Sequence, residues 1–91
     1  MASRKFRLEI AAPAQRAIER LPERLAAAVL EFALETLLES PNVVGKPLRG
    51  ELSGLWVARR GPYRVVYEID SKRHVIAIMR IEHRADVYRP R

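Results

Sequence analysis

The sequence predicts an α+β fold: an N-terminal strand, a two-helix hairpin, then a three-stranded antiparallel meander, with the helices on one face of a four-stranded sheet. Three patterns carry this expectation. Phe6, Leu8 and Ile10 alternate with Arg7 and Glu9; apolar residues recur at helical spacing between Pro13 and Leu38; and three β-prone runs follow Gly54 with only short connectors between them.

The alternation at the start is the period of two that a half-buried strand requires, and places the first strand at residues 5–10. Pro13 suits the first turn of a helix, and Ala14, Ala17, Ile18 and Leu21 then share a face opposite Gln15, Arg16, Glu19 and Arg20, which predicts a helix over 13–21. Pro22 cannot continue that helix but can open the next, where Leu25, Val29, Phe32, Ala33, Leu37 and Leu38 form a wide apolar stripe over 23–39. Ser40-Pro41-Asn42 ends it. Residues 41–54 hold Pro41, Gly45, Pro47, Gly50 and Gly54, and are expected to be a long loop without an element of its own, a length that points to function. The runs 55–60, 63–69 and 75–81 follow, separated by Gly61-Pro62 and Asp70-Ser71-Lys72-Arg73, connectors short enough for antiparallel hairpins. Within 63–69, Tyr63, Val65, Tyr67 and Ile69 share the face expected to be core, which turns Arg64, Val66 and Glu68 to the other side.

Ninety-one residues with 48% hydrophobic content suit one small domain spanning 1–91, rather than a disordered tail or a multi-domain enzyme. The absence of Cys removes disulfides, thiolate zinc sites and Cys nucleophiles. The longest apolar run, residues 25–30, is far short of the ~20 residues of a membrane span, and no apolar segment backs the N-terminus, so a cytoplasmic chain with no membrane partner is expected. Residues 1–45 carry six basic and six acidic side chains, whereas residues 46–91 carry eleven and five, so the whole net charge of +6 lies in the second half. A one-sided excess predicts a positive face that attracts polyanions or an acidic protein segment. Fourteen of the seventeen basic residues are Arg, whose planar guanidinium binds phosphate bidentately and stacks on bases, which tilts the partner toward nucleic acid.

The two His, His74 and His83, have no ligand spacing around them, and no Gly-rich loop precedes a helix, so neither a metal nor a nucleotide cofactor is expected. The remaining chemistry is cationic. Arg64, on the polar face of its strand, is placed to hold a phosphate; its plainer alternative is a salt bridge to Glu68 or Glu82. Arg59 and Arg60 form a doublet beside the Gly61 turn, to be read either as RNA contacts or as solvated charges. Lys46 and Arg49 sit among residues that fix backbone direction, as a phosphate-positioning loop needs, unless Leu48 anchors that loop and its charged neighbours face water. The segment Glu82-His83-Arg84-Ala85-Asp86-Val87-Tyr88-Arg89 joins an imidazole, a side-chain type able to exchange protons, to a guanidinium and a ring that can stack on a base. Together such groups can cleave RNA without metal: the ribose 2′-hydroxyl attacks the adjacent phosphorus, and the protein moves the protons and stabilises the pentacoordinate anion. The alternative is a terminal helix with Val87 and Tyr88 packed on the core.

Gly45-Lys46-Pro47-Leu48-Arg49-Gly50, Leu52-Ser53-Gly54-Leu55-Trp56, Gly61-Pro62-Tyr63-Arg64-Val65-Val66-Tyr67 and His83-Arg84 followed by Asp86-Val87-Tyr88 closely resemble, in this order, the RelE branch of the RelE/ParE toxin superfamily. The resemblance covers nearly the whole chain. It implies a small basic α+β toxin of a type II toxin–antitoxin system, a ribosome-dependent mRNA interferase that cleaves without a metal ion. It also implies a cognate antitoxin with an acidic or amphipathic segment, joined to the toxin in a hetero-oligomer, besides the ribosome and mRNA. By the same resemblance Arg64 is the phosphate-stabilising arginine, Arg84 the second active-site arginine and Tyr88 the tyrosine that stacks on or deprotonates the nucleotide, with His83 beside them. Some members place lysines at alternate positions of the second strand where this chain has Leu55 and Val57, so proton transfer would pass to His83, Arg59 or Lys46. Two other functions fit the same features. The ParE branch inhibits DNA gyrase, and a non-catalytic basic module would only dock an acidic partner.

Overall fold

The computed structural model describes residues 6–83. Five strands form one sheet in the order β1-β5-β4-β3-β2. The first is β1 (Arg7–Ile10), which lies parallel to β5 (Val75–His83), whereas β5, β4 (Tyr63–Asp70), β3 (Leu55–Arg60) and β2 (Lys46–Pro47) pair antiparallel in turn. A parallel pair needs a long crossover, and the chain between β1 and β5 supplies it, helices included. The predicted α+β class and meander hold; the expected four strands are five because β2 joins the edge.

Helix α1 (Ala12–Arg20) begins one residue before Pro13 and buries Ala14 and Ile18, one turn apart. Pro22 precedes α2 (Glu23–Phe32), and its carbonyl accepts the first hydrogen bond of that helix, from the Ala26 N–H at 2.9 Å. The single helix expected over 23–39 instead widens into a π-helical turn, Ala33–Leu37, where the Leu38 N–H donates to the Ala33 carbonyl five residues back. The extra residue in that turn allows the consecutive Leu37 and Leu38 both to be buried. With Ala14, Val29 and Ala33 they cover one face of the sheet, formed by Ala58, Val65, Tyr67, Ile76 and Ile78. Every described charged residue lies outside this buried set, so burial is left to apolar side chains.

The hairpin between β3 and β4 is closed by Gly61-Pro62 alone, since Arg60 pairs with Tyr63. Gly61 has φ +60, the left-handed value that favours Gly at the first position of a two-residue hairpin loop.

The stretch expected to be a featureless loop holds α3 (Pro41–Val44), then β2, then a 3₁₀ turn over Gly50–Leu52. None of these is long enough to be specified by propensity; a buried side chain holds α3 and the approach to β2. The Tyr67 hydroxyl donates to the Pro41 carbonyl at 2.6 Å and accepts from the Gly45 N–H. Burial pushes the Tyr67 phenol up to about 12, against the lowering effect of the Gly45 hydrogen bond. In the unfolded chain a Tyr loses its proton near pH 10, so above that pH the unfolded state gains ionisation that the folded state resists until about pH 12. Stability is therefore expected to fall over this window by about 1.4 kcal/mol per pH unit, with no contribution below it. Urea melts at several pH values across the window should show this decline in the parent and its loss in Tyr67→Phe; parallel declines in the two proteins would refute the assignment.

Candidate active site

Residues directly opposite one another in a sheet point to the same face, so the register sorts the candidates. On the face away from the helices, Lys46 of β2 pairs with Val57 of β3 and that with Val66 of β4. One step along, Arg59 of β3 pairs with Arg64 of β4, which pairs with Glu82 of β5. Lys46, Arg59 and Arg64 thus share one surface, as do Leu55 and Val57. Val44, Lys46, Val57 and Arg59 line an open cleft of about 430 Å³ there. Its lining joins two valines to two cationic side chains, a combination that suits a nucleotide: ring or ribose against valine, phosphate against the charged groups.

Arg64 is the group at this surface whose local energetics call for a ligand. Its Nε is buried with no hydrogen-bond partner. A desolvated donor left unpaired costs about 1–3 kcal/mol, more for a charged group. Its cross-strand neighbours deepen the cost on one side and decline to relieve it on the other. Arg59 faces it with like charge, an unfavourable pair on a sheet. Glu82, directly opposite, has its carboxylate 3.6 Å from Arg80 instead. The salt bridge to Glu68 or Glu82 that the sequence leaves open for Arg64 does not form among the described residues. A phosphodiester between the two guanidiniums would turn their repulsion into attraction and satisfy the buried donor.

Other candidates go elsewhere. Arg60 is next to Arg59 and therefore on the opposite face, where it lines a second, apolar cleft of about 280 Å³ with Arg24, Leu25, Ala28, Val29, Pro62 and Tyr63. The doublet is split by strand alternation. Arg49 precedes the 3₁₀ turn and is exposed, while the Leu48 N–H donates to the Leu55 carbonyl at 2.8 Å and pins that loop to β3. His83 is the last residue of β5 and pairs with Tyr63, its ring edge-on to the Tyr63 ring at 5.0 Å between centroids. That pairing puts His83 on the helix side, so the sheet separates it from Arg64. Arg84 and Tyr88 lie outside the described residues. Among the described residues no three His, Asp or Glu side chains are grouped to hold a metal ion, and no helix is long and apolar enough to cross a membrane. Glu82 is the residue of this surface that the sequence left in a minor role, because its strand is almost continuously apolar and its face could not be read from alternation.

Comparison with known proteins bears on most of the chain. A family model described as the ParE toxin of type II toxin–antitoxin systems, parDE, matches residues 8–88. The sequence is 51% identical over 76 residues to Toxin RelG of Mycobacterium tuberculosis, covering 84% of this chain and 87% of that protein. It is 49% identical over 84 residues to Toxin RelE of the same organism, covering 92% and 87%. The fold superposes with a TM-score of 0.85 and 45% identity on a chain of the RelBE2 toxin–antitoxin complex from Mycobacterium tuberculosis, covering 90% of this chain and 94% of that one.

Proposed function

The chain belongs to the toxin family of type II toxin–antitoxin systems, on its RelE side, and we propose that it is a ribosome-dependent mRNA endoribonuclease that arrests translation in the cytoplasm. The observation that carries this reading is Arg64, a guanidinium with a buried, unpaired Nε, facing a second guanidinium across a cationic surface beside an open cleft. In the cleavage, the ribose 2′-oxygen attacks phosphorus and negative charge builds on the non-bridging oxygens. Arg64 stabilises that charge with an Nε donor that is already desolvated and unpaired, so little reorganisation is needed when the charge develops. Arg59 and Lys46 hold the flanking backbone, and Arg49 reaches the ribosome or message from the loop pinned by Leu48. Arg84 and Tyr88 supply a second guanidinium and a stacking ring.

The second cleft supports the partner half of the reading. Its apolar lining and the two arginines at its rim, Arg24 and Arg60, suit an amphipathic acidic segment of a cognate antitoxin. The structural relative from Mycobacterium tuberculosis is itself part of a toxin–antitoxin complex.

Added to a cell-free translation system, the purified protein should stop synthesis and leave new 5′ ends inside coding regions, read by primer extension. Arrest with intact mRNA would defeat the nuclease reading. The ParE description of the matching family favours one rival, inhibition of DNA gyrase. That reading predicts blocked supercoiling with RNA untouched, and normal supercoiling at excess protein would eliminate it.

A further inference from the structure

Strand β5 does not alternate evenly. Ile76 and Ile78 are fully buried under the helices, and strict alternation from them would send Arg80 and Glu82 to the same buried side. A bulge prevents this. Tyr67 pairs with Ile78 while the preceding Val66 pairs with Arg80, so Met79 is an extra residue on β5. Past it the phase of the strand is reversed: Ile81 packs on the core, and Glu82 emerges on the cationic surface directly opposite Arg64.

The groups around Glu82 make its chemical part specific. Arg64 faces it from β4, Arg59 stands beyond Arg64 on β3, Lys46 lies one row away on β2, and Arg80 is on its own strand at 3.6 Å. All of these are proton donors in their charged forms and have no lone pair with which to accept a proton. Glu68, the other described carboxylate on β4's part of this face, is four residues from Arg64, roughly 13 Å along an extended strand. Glu82 is therefore the described carboxylate next to the phosphate-stabilising arginine, paired with Arg80 and 30% exposed in its side chain, open to substrate.

Resting on the cleavage reading above, we infer that Glu82 is the general base of the reaction, delivered to Arg64 by the bulge at Met79. The 2′-oxygen bonds to phosphorus and its proton passes to the Glu82 carboxylate. The bond from phosphorus to the 5′-oxygen breaks, and that oxygen takes a proton from water. The products are a 2′,3′-cyclic phosphate and a 5′-hydroxyl end, and the hydroxide left by water removes the proton from Glu82. Arg80 holds the carboxylate in place and touches no reacting atom.

The test is single-turnover cleavage of mRNA on programmed ribosomes by the full chain, across acid to mildly alkaline pH. Glu82→Gln should cut roughly 10²-fold more slowly, at unchanged ribosome affinity, and should lose the decline in rate on the acid side that protonation of a base gives the parent. Glu82→Asp, which keeps the charge but withdraws it, should be slowed while retaining that decline. Gln at the parental rate and pH profile, or Asp with a flat profile, would each overturn the assignment while the parent's own cleavage left the nuclease reading standing. A parent that cuts nothing would overturn both.

Discussion

Replacing Arg64 with Ala is expected to slow mRNA cleavage by roughly 10²- to 10³-fold, the range associated with loss of one preorganised donor to a developing oxyanion. The fold should hardly notice. Arg64 spends its buried Nε on no protein acceptor and makes no described ion pair, and Arg59 opposes it with like charge. Removing the guanidinium relieves an unpaired donor and a repulsion, offset by lost packing of its methylene stem, so the change in stability should stay within about 1 kcal/mol. A structural arginine would behave in the opposite way, with a lowered melting temperature as the main effect. Thermal melts and single-turnover cleavage on the same preparation separate the two. A large fall in melting temperature with cleavage retained in the folded fraction would remove Arg64 from the site. Arg64→Lys should recover little, because a lysine offers a point charge in place of a planar fork.

The face of Arg64 was legible in the sequence because four apolar residues, Tyr63, Val65, Tyr67 and Ile69, alternate without interruption and leave only one direction for the residues between them. Strand β3 was legible to the residue, bracketed by Gly54 and by Gly61-Pro62. Element type is easiest to read where local pattern and tertiary burial agree. Reading failed where a tertiary contact does what local pattern cannot. β2 is two residues long and owes its place to Tyr67, which is twenty or so residues away in the chain. The π-helical turn at Ala33–Leu37 adds a residue inside a run of good helix formers, so the apolar stripe looked like one continuous helix.

The same distinction decides the site. Val75, Ile76, Ala77, Ile78 and Met79 are all apolar, a run that fits either face equally well, and the bulge within it left no mark in composition. Its consequence is large, since one extra residue exchanges the faces of everything after it. Chemical type and resemblance group His83 with Arg64; the bulge turns its ring to Tyr63 and turns Glu82 to Arg64 in its place. Arg59 and Arg60 read as a doublet because they are adjacent in sequence, and adjacency on a strand is what separates them. Lys46, by contrast, stands out in the sequence for its loop and lies in register with Val57, beside the cleft.

That position of Lys46 depends on a single close approach, and the second large effect is expected there. A Cβ on Gly45 would collide with the Tyr67 hydroxyl and come within 2.8 Å of the Val57 carbonyl oxygen. The Tyr67 ring is fully buried and cannot swing away without disturbing the core. Gly45→Ala should therefore break the hydrogen bond from Tyr67 to Pro41 and orphan buried polar groups, at roughly 3 kcal/mol in all, or a fall of about 10–20 °C in melting temperature for a domain this size. Tyr67→Phe, which leaves the Pro41 carbonyl and Gly45 N–H without the hydroxyl, should cost about 1–3 kcal/mol. The informative protein is the double variant. Phe removes the oxygen that the new methyl group strikes hardest and leaves the ring carbon and the Val57 carbonyl within 3 Å, so Gly45→Ala in that background should cost less than it does alone, with a coupling of about 1–2 kcal/mol. Because backbone alternation turns Gly45 toward Tyr67 and Lys46 toward the cleft, the single Gly45→Ala variant should also lose cleavage at temperatures where it remains folded. Strict additivity in the double-mutant cycle would mean that the phenol and the glycine do not meet, and that something other than this clamp presents Lys46 to the cationic face.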